Sequence, residues 1–323
     1  MSDTGERASG AARLEQAARA AWLYYIGGRT QDEISALMHL SRQAVQRLVS
    51  LAVEEKLIKF RFDHPIGASM ALGARLTERY GLRSCAVVPS DGSDAALAGL
   101  AVTGARWLER WFAQKAPLVL GVSTGSTLRA TAAELRPMHA PQHKLFSLCG
   151  IITADGRAIA TEPVMRIAER IGAQCYPMPL PVVAATIEER RLLQSQRAFA
   201  TLQGLMAEAA VLLVGVGHIG WQSPLHAAGC IGDGELTELL RAGAVGEIAG
   251  HSFDAAGRLL EGAANARATG LTLHPTADQV RVGIGAGAAK VPALRGALAG
   301  GLLNGIITDE PTAAAILETA AAA

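Results

Sequence analysis

The sequence predicts an α/β chain with two parts. A helix-turn-helix domain occupies residues 1–63, and a larger doubly wound, mostly parallel α/β domain occupies residues 64–323. Three observations carry this. Two short amphipathic patterns with a tight turn between them lie within 30–51. Downstream, short apolar runs alternate with helical patterns, as buried parallel strands and their crossover helices do. Three of those runs end in glycine- and hydroxyl-rich segments, the composition of strand-to-helix turns.

The first ten residues, MSDTGERASG, read as a polar frayed tail and not as a signal peptide. Residues 11–26 read as an amphipathic helix with Leu14, Ala18, Trp22 and Tyr25 on one face, ended by Gly27 and Gly28. Thr30 and Glu33 have capping-box spacing, and Ile34, Leu37 and Met38 follow on one face. His39-Leu40 breaks the pattern, and Ser41 caps a second helix. On it Val45, Leu48, Val49 and Ala52 point one way, and Arg42, Gln43, Gln46 and Arg47 the other. Ser41, Arg42, Gln43, Gln46 and Arg47 are therefore the candidate readers of base edges in double-stranded DNA. Charge agrees weakly. Residues 11–62 hold eight Lys/Arg against five Asp/Glu, and residues 63–323 hold 21 against 22. KLIKFRFD (56–63) reads as a short strand or wing, and residues 63–67 as a hinge.

Beyond the hinge, residues 68–81 read as a helix, 85–89 as a strand and 93–115 as a helix with Trp107, Trp111 and Phe112 on one side. Strands follow at 118–123, 145–149, 173–179, 210–217, 280–285 and 305–308. Helices fall after 123, at 162–171, from Thr186 to Ala210, from Lys290 through Leu303 and after Pro311. No internal repeat is visible.

Composition excludes several classes. The chain has 323 residues, half of them apolar, and a net charge of +1, so it is no polycation. Four cysteines (Cys85, Cys149, Cys175, Cys230) lack C-x-x-C spacing and read as reduced core residues. The eight histidines show no metal-ligand spacing, and no apolar run is long enough to span a bilayer. The expectation is a soluble cytoplasmic protein without cofactor or metal.

In doubly wound sheets, ligands bind beyond the carboxyl ends of the strands. In Gly121–Thr127, Ser123, Gly125, Ser126 and Thr127 suit phosphate or sugar oxygens at a helix start. No Lys follows, so this is no Walker loop; a plain tight turn with Ser126 or Thr127 capping the helix is the rival reading. Gly215–Gly220 spells G-x-G-x-x-G but has no acidic ribose partner, so a dinucleotide site is rejected, leaving Gly217 as a ligand-side candidate and His218 as a structural one. Lys290 follows the glycine turn of 283–287 and suits an anionic group. Glu247 and Asp254 are candidates to accept from sugar hydroxyls, although Asp254 also fits an ordinary turn. None of these forms a catalytic acid/base set.

With these segments placed, the chain resembles the sorbitol-operon regulator (SorC) family of sugar-responsive bacterial transcription regulators. The carrying segments are RTQDEISALMHLSRQAVQRLV, GVSTGSTL, VLLVGVGHIG, GAVGEIAGHSFDAAGR and KVPALRGALAGGLLNGIITDEPTAAAIL. The resemblance spans roughly residues 12–318. It implies a ligand domain similar in fold to sugar-phosphate isomerases and deaminases, which binds a sugar, polyol or sugar phosphate without turnover, in a homodimer or homotetramer on operator DNA. It also implies roles: Ser126 and Thr127 as a phosphate-contacting hydroxyl pair, Glu247 as a ligand-side acid and Lys290 as a basic residue at the ligand. Some members carry an Arg in the loop after the third strand, where Leu148-Cys149-Gly150-Ile151 stands here. A neutral polyol, sugar or monophosphate is therefore expected ahead of a bisphosphate. The rival readings are an isomerase- or deaminase-like enzyme with a helical appendage, and a protein-interaction module at 11–63.

Overall fold

The computed structural model describes residues 3–58, 67–90, 95–153, 155–158, 162–274, 276 and 278–318. The chain divides into two compact units, Met1–His64 and Pro65–Ala323.

The first unit holds α1 (Asp3–Tyr25), α2 (Gln31–Met38) and α3 (Arg42–Glu54). The expected capping box forms: Glu33 N–H donates to Thr30 Oγ1 at 3.3 Å, and Thr30 N–H donates to Glu33 Oε2 at 2.8 Å. His39 turns the chain in the left-handed region (φ 55°), and Ser41 Oγ caps α3 by accepting from Ala44 N–H at 3.2 Å. Val45, Leu48, Val49 and Ala52 are buried as expected. Two expectations fail on α1. The helix begins at Asp3, so the polar start is not a frayed tail. Its buried face is Ala17, Ala20 and Ala21, each fully buried, while Leu14, Trp22 and Tyr25 stay exposed. The reason is proximity: α1 packs on α3, and alanines let the two backbones approach. Leu37 also lies outside the core, 59% exposed. Of the expected wing, residues 59–63 lie outside the described residues. Lys56 (φ 56°) and Leu57, whose N–H returns to Ala52 O at 2.9 Å, close the end of α3 instead.

The second unit opens with α4 (Gly67–Tyr80), β1 (Ser84–Val88), α5 (Ala95–Phe112), β2 (Val119–Val122), α6 (Ser126–Glu134), β3 (Lys144–Ser147), α7 (Val164–Ile171) and β4 (Gln174–Tyr176). It continues with α8 (Ile187–Gln194), α9 (Arg197–Glu208), β5 (Val211–Gly215), β6 (Gly217–His218), α10 (Pro224–Ala227), α11 (Asp233–Arg241), β7 (Ala244–Ile248), β8 (His251–Asp254) and α12 (Ala263–Arg267). It ends with β9 (Val280–Ile284), a 3-10 turn (Ala288–Lys290), α13 (Val291–Ala299), β10 (Gly305–Asp309) and α14 (Glu310–Leu317).

Seven parallel strands form the sheet β1-β10-β9-β5-β2-β3-β4. Alternation along each strand feeds a core on either side. Leu212 and Val214 of β5 join one cluster with Phe146 and Ile306, and Val211 and Leu213 join the other with Leu120 and Ile307. Gly121 is where the sheet admits no side chain, since a Cβ there would lie 2.7 Å from Leu212 and 2.8 Å from Phe146.

Three expectations are corrected. Residues 217–218, 244–248 and 251–254, where no strand beyond 217 is expected, form an antiparallel sheet of order β6-β7-β8. The helix expected over Thr186–Ala210 is two helices, because Ser195 Oγ and Gln196 Nε2 both donate to Leu192 O (2.7 and 3.2 Å) and end the first. The helix expected from Lys290 through Leu303 starts with the 3-10 turn and stops at Ala299. The helix expected over 93–115 is described from Ala95 to Phe112, and its start at 93–94 lies outside the described residues.

Candidate effector cavity

The order of the parallel sheet determines where a ligand fits. From β2 the chain steps through β3 to β4 at one edge; from β5, beside β2, it steps through β9 to β10 toward the other. The connections diverge between β2 and β5, and the space beyond their carboxyl ends is the switch-point crevice of a doubly wound sheet. A cavity of about 470 Å³ lies there, within the usual range for small-molecule sites.

Ser123 joins the two strand ends: its Oγ accepts from Gly215 N–H at 2.8 Å. Gly125, in a conformation suited to glycine (φ 149°), turns the chain into α6 and offers no side-chain cap. The rival reading, in which Ser126 or Thr127 is the cap, therefore does not hold; both lie inside the first turn. The first helical bond runs from Arg129 N–H to Gly125 O at 2.9 Å. The amides of Ser126, Thr127 and Leu128 thus lack helical acceptors, and all three residues line the cavity. The positive end of α6 favours an anion at this spot.

The opposite wall comes from the antiparallel sheet. Gly217 pairs with Glu247, and a Cβ at Gly217 would lie 2.2 Å from Glu247 Oε1, so only glycine leaves the carboxylate its place. Glu247 Oε2 accepts from Gly250 N–H at 3.0 Å. Lys290 arrives from the 3-10 turn before α13 and passes over Gly285, where an added Cβ would sit 3.4 Å from Nζ. Burial holds the Glu247 carboxyl above its ordinary range, opposed by the Gly250 bond and the Lys290 charge. Burial pushes the Lys290 ammonium below its ordinary value, and Glu247 pulls it back. The chain thus keeps a carboxyl and an amine partly desolvated at one cavity, as binding sites do.

The raised Glu247 value has a stability consequence. A carboxyl with a raised folded-state pKa stabilises the fold fully below its unfolded value, near 4.5, and loses that contribution as pH rises through the folded value. Glu247→Gln is expected to flatten this fall in the ligand-free protein, measured as urea midpoint against pH. An unchanged slope would show that Glu247 does not carry it.

Seven sequence-derived candidates line the cavity together: Ser123, Gly125, Ser126, Thr127, Gly217, Glu247 and Lys290. Asp254 does not. At the end of β8 its Oδ1 accepts from Ala256 and Arg258 N–H, both at 2.9 Å, and its Oδ2 pairs with Arg258 at 2.8 Å. It serves a local turn, the alternative the sequence left open. His218 pairs across the strand with Gly246, and burial lowers its pKa, with Lys290 adding to the shift. Sequence reasoning missed Thr124, Thr153, Arg157, Leu225 and Cys230, which also line the cavity, as does Cys149. Arg157 adds positive charge to the cavity lining. It lies in the long connection after β3, so that connection does carry a guanidinium to the cavity, paired with Asp155 at 2.8 Å. Burial pushes the Cys149 thiol up to about 11, which keeps it neutral and unreactive.

In the first unit Ser41 uses its hydroxyl as a cap, while Arg42, Gln43, Gln46 and Arg47 are exposed, with Arg42 3.6 Å from Asp32.

The Sugar-bind family of sugar-binding domains matches residues 64–318. The erythritol catabolism regulatory protein EryD of Brucella abortus is 35% identical over 303 residues, covering 93% of this chain and 96% of EryD. The chain belongs to the SorC family of sugar-binding transcriptional regulators. The deoxyribonucleoside regulator of Bacillus subtilis is 30% identical, covering 92% of this chain and 96% of that protein. In fold, the chain matches the full-length sorbitol operon regulator SorC of Klebsiella pneumoniae with a TM-score of 0.70 at 20% identity, covering 94% of this chain and 99% of that one. As a SorC-family member it is a DNA-binding regulator of carbohydrate metabolism under control of a sugar-type effector, not an enzyme. Among the described residues no helix is long and apolar enough to cross a membrane.

Proposed function

We propose that the effector is a sugar or polyol monophosphate. Its phosphate sits on the amides of Ser126 and Thr127 at the start of α6, within reach of Lys290, and its hydroxyls donate to Glu247. The observation that carries this is the shared cavity: an uncapped helix N-terminus, a lysine and a desolvated carboxyl line one space of about 470 Å³. EryD, by its name, regulates erythritol catabolism, and a short polyol phosphate fits the same chemistry. Arg157 adds a second cation, but one already paired with Asp155, so one phosphate is favoured over two. Calorimetric titration of polyols, their monophosphates and a bisphosphate tests this. The monophosphate is expected to bind at least tenfold more tightly than its neutral parent. Equal affinity for the two would remove the phosphate assignment, and tighter binding of the bisphosphate would remove the preference for one phosphate.

The output is α3 in the major groove of an operator, with two copies of the chain on two half-sites in the cytoplasm. The effector acts by binding the two arrangements of the oligomer unequally. Arg47, exposed on the outer face of α3, is expected to contribute to base or phosphate contact. Arg47→Ala should weaken operator binding in a gel shift about tenfold or more, consistent with ~1–3 kcal/mol for a specific contact. Effector affinity should stay within twofold. Unchanged operator affinity would remove Arg47 from the interface.

A further inference from the structure

The helix α1 carries two apolar stripes, and the larger residues are on the outer one. Ala17, Ala20 and Ala21 face the core beside α3, fully buried. Ala11, Leu14, Ala18, Trp22 and Tyr25, spaced 3, 4, 4 and 3 residues apart, form a continuous outward seam of the kind that pairs helices. Trp22 is 59% and Leu14 36% exposed. We propose that this seam docks onto the same seam of a second copy of the chain, antiparallel, with the twofold axis at Ala18. The proposal rests on the two-copy operator reading above.

Size and charge select this occupant and orientation. With the axis at Ala18, Leu14 meets the partner's Trp22, and Ala11 meets the partner's Tyr25. Each large side chain then lies over a smaller one, and the two Ala18 residues allow close approach at the centre. A parallel pair would set Trp22 on Trp22 and leave gaps at Ala11 and Ala18. Along one edge of the seam stand Glu15 and Arg19, both exposed. In the antiparallel pair Glu15 of each copy comes level with Arg19 of the other, about two residues or ~3 Å off along the axis. This gives two symmetric opposite-charge contacts; in a parallel twofold pair the Glu15–Arg19 edges fall on opposite sides of the seam and do not meet. One helix face covers on the order of 1,000 Å² in total, at the lower limit for a specific interface. The contact therefore acts when two copies are held together, as on two half-sites.

Disulfide trapping in the full-length protein tests the arrangement, with the parent chain and its four native cysteines as background. Ala18→Cys is expected to give a covalent dimer on oxidation, since Cβ atoms across the axis come within disulfide range. Trp22→Cys alone is expected to stay at background, because its mate lies about 12 Å away along the axis. Leu14→Cys mixed with Trp22→Cys should form the mixed dimer. Absence of the Ala18→Cys dimer, or self-linking of Trp22→Cys, overturns the proposal. Sedimentation of the parent separates the two levels: a dimer with no Ala18→Cys linkage leaves the two-copy reading intact and rejects this surface.

Discussion

Lys290→Met is expected to lower affinity for a phosphorylated effector about 100-fold, ~2.7 kcal/mol, with no loss of melting temperature in the ligand-free protein. The two halves of this expectation have one cause. Burial already disfavours the ammonium, as its lowered pKa states, so the charge burdens the free fold below that folded-state value. Methionine fills the same path over Gly285 without that burden. A bound phosphate reverses the balance, since a partly buried cation gains a charge-assisted hydrogen bond in a low-dielectric space, about 1.5–3 kcal/mol. Calorimetry with the best monophosphate, alongside thermal melting, reads both. Affinity within threefold of the parent would show that Lys290 does not face the anion. A large drop in melting temperature would show that its role is structural.

Interactions close in sequence were the legible ones. The Thr30–Glu33 box, the Ser41 cap and the break at His39 span a few residues each, so spacing alone predicts them. The central parallel strands were legible because both of their faces are buried and their runs are mostly apolar. The antiparallel sheet was not. Strand β6 is two residues long, and Gly217, Gly246 and Gly250 dilute the alternation that marks a half-buried strand. The orientation of α1 failed for a different reason. Both of its faces are apolar, so periodicity cannot say which one packs on α3. The same limit applies at the cavity. Glycine-rich turns after strands mark the β2 and β9 ends of the crevice, but Arg157 and Leu225 reach it only through tertiary folding of long connections. Asp254 shows the converse: a carboxylate four residues before an arginine was already a sufficient local pair.

The far end of α13 holds the cavity residue in place from below, and Arg281 is the fastening. It lies on β9, 2% exposed, beneath the sheet end opposite the cavity. Its Nε donates to Leu302 O at 3.0 Å, one terminal nitrogen to Thr276 O at 2.9 Å, and the other to Gly301 O at 3.1 Å. Its backbone N–H donates to Asn304 Oδ1 at 2.7 Å. Burial, then the nearby Arg83, lowers its pKa, but a guanidinium stays charged at neutral pH. The acceptors are carbonyls and the Thr276 hydroxyl, and two of the carbonyls lie just past the C-terminus of α13, where the helix dipole is negative. Arg281→Met removes the cation and leaves the buried Leu302 carbonyl without a donor, at about 1–3 kcal/mol, with smaller losses at the part-buried Gly301 and Thr276 carbonyls. The expected loss is ~3–5 kcal/mol in urea denaturation of the full chain. Arg281→Lys keeps the charge but cannot span three separate acceptors, so it should recover less than half of the loss. Because α13 is the element that follows Lys290, both variants should also weaken effector binding under conditions where they remain folded. A loss below ~1 kcal/mol for Arg281→Met would mean that water or a shifted backbone satisfies those carbonyls, and that α13 is held from its other contacts.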